Sequence, residues 1–334
     1  MNNNESIAVI ILTYNRFDLL KKAIHSVLTQ KNISYHIYVF DNHSMKSLYP
    51  LVKNNPYITY ILHKNNLGFA RNFYYAMEYV LKRNHKYSFL LGDDDMVAYP
   101  TAIFDLLQLL KQNKDVHVVR GGFIKYQKSV YFPTQSYIFS EDKHKKKKRD
   151  QIRYSIQHSI TFYSGLLFRN ALFKIPKPKT YDLVSPFLTP LFSILKYKKY
   201  EYLPSKITVI ALVDHNQLAT QIYNDQVSNT AGISRALIAC GRKPINPIYL
   251  HEFINYKIYS DNTELIKKYY NEYSRASRGL KKSIIHVIYS TPRQMLIILK
   301  MFVMFYIRCR TYVEIILNHR YLFQNNPCLF NYEK

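Results

Sequence analysis

The sequence predicts an α/β fold: a mixed, mainly parallel sheet flanked by helices, followed by a helical, basic C-terminal segment. Two observations carry that expectation. Short β-branched runs alternate with stretches of three- and four-residue apolar spacing through the first 120 or so residues, the pattern of strands joined by crossover helices. Beyond about residue 215 the pattern becomes helical, poor in Gly and rich in Lys and Arg. The boundary falls somewhere in 215–245 and is placed at residues 1–225 and 226–334.

The elements follow in order. Ile7–Leu12 is an uninterrupted apolar run and reads as a buried strand. Phe17, Leu20, Ala23, Ile24, Val27 and Leu28 form the stripe of a helix. His36–Phe40 is a second strand, ending in the turn formers Asp41, Asn42, His43 and Ser44. Ile58–Leu62 is a third. Phe69, Phe73, Ala76, Met77, Val80 and Leu81 mark a second helix, Tyr87–Leu91 a fourth strand, Ala102–Gln112 a helix and Val116–Arg120 a strand. Residues 121–212 are less regular. Lys143–Arg149 (KHKKKKR) is a like-charge block that must be solvated, and Ile175–Lys179 (IPKPK) is a Pro-punctuated connection. In sheets of this kind ligands bind beyond the carboxyl ends of the strands. Thr13, Asp41 and Asp93–Asp95 stand at those ends.

Composition narrows the function. The chain has 334 residues, 47 Lys+Arg against 22 Asp+Glu, and a net charge of +25, so an anionic partner of some kind is expected. With 48% hydrophobic residues there is material for a substantial core. Three cysteines without a C-x-x-C spacing argue against a disulfide framework and for a reducing compartment. The N-terminus lacks the basic and apolar regions of a secretion signal. Met295–Ile307 is apolar over only about 13 residues and contains Lys300, too short to cross a bilayer but suited to lying on one. Eight glycines form neither G-x-G-x-x-G nor a Walker A sequence, which removes support for dinucleotide binding and P-loop hydrolysis. His251-Glu252 lacks the second His of a zinc protease.

Asp93, Asp94 and Asp95 follow an apolar strand and Gly92. Three adjacent carboxylates repel unless a cation or full hydration separates them. A hard divalent ion, Mg²⁺ or Mn²⁺, held by one or two carboxylates and a substrate phosphate, is the natural partner. The plainer alternative is a solvated acidic turn. Asp41 can accept from a nucleobase or sugar, or can simply cap its turn. Asn66-Leu67-Gly68-Phe69-Ala70-Arg71-Asn72 places a Gly turn and then Arg71 at a helix start, where backbone N–H groups and a guanidinium meet phosphate well.

Taken together, Thr13-Tyr14-Asn15-Arg16, Asp41-Asn42-His43-Ser44, Asn66–Asn72 and Gly92-Asp93-Asp94-Asp95 with Pro100 resemble, in order and spacing, the family 2 glycosyltransferases of the GT-A fold. The resemblance covers about the first 120 residues. It implies transfer of a sugar from a nucleotide diphosphate donor to a glycan or lipid-linked acceptor, usually with inversion and with Mn²⁺ or Mg²⁺. It implies that Thr13, Tyr14, Asn15, Arg16, Asp41, Asn66, Gly68, Arg71, Asp93 and Asp94 line the nucleotide-sugar site. Asp93 and Asp95 would be the acids of the D-x-D metal motif, with Asp95 the direct ligand. Many relatives have Asp where Gly92 stands, which leaves two registers open; counting back from Pro100 favours Asp93 and Asp95. Tyr163–Arg169 looks like the family's acceptor-side strand. The customary Glu-Asp pair that follows is missing, so the base is assigned to Asp182, with Asp214 in reserve.

The basic C-terminal segment mixes Arg275, Arg278, Lys281, Lys282, Arg293, Lys300, Arg308 and Arg310 with apolar residues, as in helices that rest on an anionic leaflet. The expectation is a cytoplasmic enzyme, peripheral on the inner face of the membrane, in bacterial surface polysaccharide synthesis (lipopolysaccharide or capsule). The rivals are a basic nucleic-acid-binding protein, for which no recognition motif is visible, and an inactive transferase-like scaffold.

Overall fold

The computed structural model describes residues 6–46, 49–127, 130–133, 150–157, 159–175, 185–212, 263–276, 279–298 and 301, with a few more between 233 and 258. The Lys143–Arg149 block, most of the IPKPK connection, Asp182 and Asp214 lie outside them. Two compact units are present.

The first unit holds one sheet of nine strands. Strands β1 (Ile7–Thr13), β2 (Tyr35–Asp41), β3 (Ile58–Leu62) and β4 (Tyr87–Gly92) run parallel in the order β3-β2-β1-β4. The chain moves outward from β1 to β3, then returns to the far side of β1. That return makes a topological switch point between β1 and β4, the place where open α/β sheets bind ligands at their carboxyl ends. Register aligns Thr13 with Asp41 and Leu12 with Gly92, so the polar ends of three strands lie side by side.

Why these segments are parallel strands follows from their two apolar faces. Ile7, Val9 and Ile11 point into one core with Ile37, Val39, Phe89 and Leu91. Helices α1 (Phe17–Leu28) and α4 (Ala102–Gln112) cover that face with Leu20, Ala23, Ile24 and Val27, and with Ile103, Leu106 and Leu110. The alternate residues face helix α3 (Phe69–Leu81): Phe40 meets Tyr75 and Tyr79 edge to face. Each large side chain fully buried this way contributes about 1.5–3 kcal/mol of transfer free energy. A short helix α2 (Tyr49–Val52) precedes β3.

Beyond β4 the sheet becomes mixed, in the order β4-β8-β6-β9-β5, with β7 (Val130–Pro133) paired to β6. Strand β8 (Leu166–Arg169) is antiparallel to β4 and to β6 (Val116–Gln127), while β9 (Lys199–Leu212) runs parallel to β6. Strand β5 (Asp95–Val97) pairs antiparallel with β9, and helix α5 (Gln151–Gln157) precedes β8. Strand β6 continues seven residues past the expected Arg120, through the Gly121-Gly122 pair. There the β9 partner jumps from Leu203 to Ile207. Pro204 falls in that irregularity, the place where a strand tolerates a residue without an N–H donor. This bulge hides β9 from a reading based on alternation.

In the second unit, α6 (Thr263–Ala276) and α7 (Leu280–Ser290) enclose a small core of Phe253, Ile258, Ile285, Ile288 and Leu296, and Tyr270 stacks on Tyr289 at 4.2 Å. Lys257 Nζ donates to the carbonyls of Ile288 (2.9 Å), Tyr289 and Thr291, placing a cation on the carboxyl end of α7. Among the described residues, no helix is long and apolar enough to cross a membrane.

Candidate active site

The turns after β1, β2, β3 and β4 form a connected set. After β1, Asn15 adopts a left-handed backbone (φ 56°), which Asn tolerates better than most residues. Its N–H donates to Ser44 Oγ (2.8 Å) and its Oδ1 accepts from Met45 N–H (2.8 Å). After β2, Asp41 is fully buried: Oδ1 accepts from Ser44 N–H at 2.8 Å and Oδ2 from the Tyr60 hydroxyl at 2.6 Å. Asn42 bridges to the next turn, donating to Asn66 Oδ1 (2.7 Å) and accepting from Leu67 N–H (2.7 Å). Asn66 Oδ1 also receives Gly68 N–H at 2.9 Å.

Gly68 (φ 75°) starts α3 without a side-chain cap, so the helix's first N–H groups are not taken up by one. Arg71 is exposed on its first turn. Asn72 is buried instead, its Oδ1 2.9 Å from His63 Nε2 and its Nδ2 donating to Phe40 O. Tyr14, partly exposed, follows Thr13 directly.

Asp93 and Asp94 form the turn between β4 and β5, and Asp95 is the first residue of β5. Arg16 Nη1 donates to Asp93 Oδ1 (2.9 Å) and Asp94 Oδ2 (2.6 Å), joining the turn after β1 to the turn after β4. Asp94 is the more exposed of that pair, with 38% of its side chain accessible against 8% for Asp93. Asp95 is buried, and its Oδ2 accepts from Ser164 Oγ, which itself receives Gly92 N–H at 2.7 Å. Gly92 leaves the acids room: a Cβ would stand 2.8 Å from Asp95 Oδ2 and 2.9 Å from Asp94 Oδ1, so a side chain here would displace them.

Charge in this turn is under-compensated. Burial pushes Asp93 up to about 6; Arg16 opposes the rise and Asp94 adds to it. The Thr13 hydroxyl also favours ionised Asp93. Burial and the neighbouring Asp94 raise Asp95 well above the usual carboxylate range, while Ser164 and Arg120 oppose the rise. For Arg16, burial disfavours the charge, but the two carboxylates outweigh it and its pKa rises. Burial, with Asp93 adding to it, raises the Tyr163 phenol as well. One guanidinium among three carboxylates leaves hard oxygen donors with excess negative charge, which suits Mg²⁺ or Mn²⁺. Among the described residues, no three His, Cys, Asp or Glu side chains are grouped to hold a metal ion. Mg²⁺ commonly takes one or two protein carboxylates and completes its shell from phosphate and water.

The structure thus brings together Thr13, Asn15, Arg16, Asp41, Asn66, Gly68 and the acids Asp93–Asp95. Tyr60, His63, Tyr163, Ser164 and Arg120 were not singled out by the sequence. Ser164 and Tyr163 stood in a stretch read as strand, whereas β8 begins only at Leu166.

A mixed sheet with an acid-rich turn at its β1/β4 switch point is the architecture of the GT-A fold. Residues 8–174 match the model of glycosyl transferase family 2, and the chain belongs to that family. Over 108 residues it is 29% identical to the galactofuranosyltransferase GlfT1 of Mycolicibacterium smegmatis, covering 32% of this chain and 36% of that protein. The chain therefore spans about a third of the length of that curated relative. The crystal structure of S. aureus TarS residues 1–349 superposes with a TM-score of 0.58 at 13% identity, over 85% of this chain and 86% of that one. The same protein in complex with UDP-GlcNAc gives 0.58 at 11% identity, over 85% and 87%.

Proposed function

We propose that this glycosyltransferase moves a sugar from a nucleotide diphosphate donor onto a hydroxyl of a glycan or lipid-linked acceptor, with inversion, in bacterial surface polysaccharide synthesis such as lipopolysaccharide or capsule. The observation that carries the reading is the acidic triplet at the β1/β4 switch point, tied by Arg16 to the turn after β1. A nucleotide sugar is also what the similar fold of TarS was solved with.

In this reading Thr13, Tyr14, Asn15 and the Asp41–Ser44 turn hold the nucleoside. Asp41 also braces that turn within the fold, accepting from Ser44 N–H and from the Tyr60 hydroxyl. Asn66 and Gly68 shape the start of α3, whose uncapped N–H groups, with Arg71, take the diphosphate. Asp93 and Asp95 would hold Mg²⁺ or Mn²⁺, which would neutralise the charge that develops on the leaving nucleotide. Arg16 keeps Asp93 and Asp94 from repelling each other. The acceptor oxygen forms a bond to the anomeric carbon as the bond from that carbon to the phosphate oxygen breaks, and the nucleotide leaves with the electron pair. Asp182 is assigned the acceptor's proton; Asp182→Asn tests that role.

Residues 1–225 would carry this chemistry and 226–334 an accessory region. Between residues 275 and 310 there are eight Lys or Arg and no Asp or Glu, and Val287, Met295, Ile298 and Met301 are exposed. That combination suits a peripheral contact with an anionic inner leaflet.

The test is nucleotide release from UDP-, GDP-, CMP- and dTDP-sugars with Mn²⁺ or Mg²⁺, with Asp95→Ala as control. One donor should be turned over and the control should lose at least 100-fold in kcat. If no donor is bound or turned over with either metal, the reading fails.

A further inference from the structure

Arg120 has no part in that mechanism, yet it is the largest side chain with no solvent exposure. It lies in β6 among Val118, Val119, Phe123 and Ile124, all buried. Placing a permanent charge there costs several kcal/mol unless its donors are satisfied. Burial lowers its pKa accordingly. Among the described residues no carboxylate forms an ion pair with it. Its guanidinium instead donates to four backbone carbonyls: Nε to Gly121 (3.2 Å), Nη1 to Phe162 (3.1 Å) and to Ser159, and Nη2 to Ser164 (3.1 Å).

Three of those carbonyls belong to one turn. Residues 159–165 begin and end in the left-handed region, at Ser159 (φ 64°) and Gly165 (φ 84°). A Cβ at Gly165 would meet Val209 Cγ2 at 2.7 Å, so the turn is pressed against β9. Phe162 stacks on Phe123 at 4.1 Å, and Arg120 lies 5.0–5.1 Å from both ring centroids. The turn presents Tyr163, packed edge-on against Phe69 and Phe73 of α3, and Ser164, which bonds both Gly92 and Asp95.

We infer that Arg120 is a positioning residue for the acidic turn: its planar fork holds the Ser159–Gly165 turn in one conformation, and Ser164 transmits that placement to Asp95. The path is two hydrogen bonds long, from Arg120 Nη2 to the Ser164 carbonyl and from Ser164 Oγ to Asp95 Oδ2. Lys could not replace it, because one ammonium cannot reach carbonyls arranged around a planar fork. The inference rests on the transferase reading of the Asp93–Asp95 turn. A carboxylate displaced by about 1 Å from its working position loses on the order of 100-fold in rate.

The experiment compares Arg120→Lys, Ser164→Ala and the double variant in kcat, donor KM, melting temperature and crystal structure. Each single variant should lose about 10- to 100-fold in kcat while donor KM stays within about threefold. The double variant should lose no more than the worse single one, because both interrupt the same path. A lowered melting temperature with unchanged kcat per folded molecule would show a purely structural arginine and overturn the inference, as would additive losses. If Arg120→Lys does not fold, unchanged kcat in Ser164→Ala overturns it alone. The crystal structures give an arm independent of turnover: Asp95 should be displaced in the folded variants, and an unmoved Asp95 overturns the inference. A wild-type protein that turns over no donor overturns the transferase reading, while the placement of Asp95 still decides the positioning link.

Discussion

Arg16 Nη1 lies 2.9 Å from Asp93 Oδ1, so one ion pair fastens the turn after β1 to the turn after β4, 77 residues away. Both side chains are largely buried, and a second carboxylate, Asp94, shares the same nitrogen. Removing the guanidinium leaves two carboxylates facing each other. Arg16→Met should therefore lower stability by about 1–3 kcal/mol, which is roughly 1.5–4 °C in Tm for a chain this long, measured by thermal denaturation without metal. Added Mn²⁺ should restore part of the loss, since it supplies the missing positive charge. Arg16→Lys keeps the charge but not the fork and should fall between. An Arg16→Met protein as stable as wild type would show that the pair is not a joint.

The same under-compensation sets a pH dependence. Asp93 is raised from the ordinary carboxylate value near 3.8 to about 6, and Asp95 moves in the same direction. In that interval the folded protein holds protons that the unfolded chain releases. This stability is fully present below the unfolded value and is lost as pH rises through about 6. The metal-free protein should show a Tm contribution that declines between about pH 4 and pH 6. Asp93→Asn, which cannot ionise, should flatten that part of the curve. A Tm that rises through this interval equally in both proteins would contradict the assignment.

Gly92 sits where a side chain would displace the neighbouring carboxylates. An Ala there would place Cβ within 3 Å of carboxylate oxygens of both Asp94 and Asp95 and 3.1 Å from Ser164 Oγ. The carboxylates can move, so Gly92→Ala should fold, with a loss of about 1–2 kcal/mol. Their movement should cost at least 10-fold in kcat/KM for the donor. Steady-state nucleotide release beside a denaturation curve separates the two effects. Activity within twofold of wild type would show that the acids' placement is not critical.

What the sequence made legible was whatever leaves a local trace. The first four strands and helices α1, α3 and α4 were readable because two-faced burial writes an apolar run or stripe. The acidic triplet was readable because it follows such a run. The partner of Asp93 was expected to be a metal or a nucleotide, and the Arg16 bridge depends on β1 and β4 being neighbours, which residue spacing does not encode. The sequence places Asp41 at a strand end; the hydrogen bond it accepts from Tyr60, made across the β2–β3 pairing, is not readable from spacing. Ser164 and Arg120 left no trace, since a serine in a turn and an arginine in a strand resemble surface residues until the sheet closes around them.

The final prediction concerns the basic segment. Lys282 and Arg293 are exposed, as are the apolar Val287, Met295, Ile298 and Met301, and the stretch from 275 to 310 has no acid. Attraction to an anionic leaflet contributes a factor of roughly five per basic residue near the surface, whereas apolar insertion is insensitive to salt. The full chain should sediment with vesicles containing phosphatidylserine at 0.1 M salt and much less with phosphatidylcholine alone. Lys282→Glu with Arg293→Glu should weaken that binding by more than 50-fold. Met295→Ser with Ile298→Ser should weaken it about 10-fold and leave the residual binding more salt-sensitive. Equal binding to both vesicle types, or retention by an oligonucleotide of the same charge density in place of vesicles, would overturn the membrane assignment.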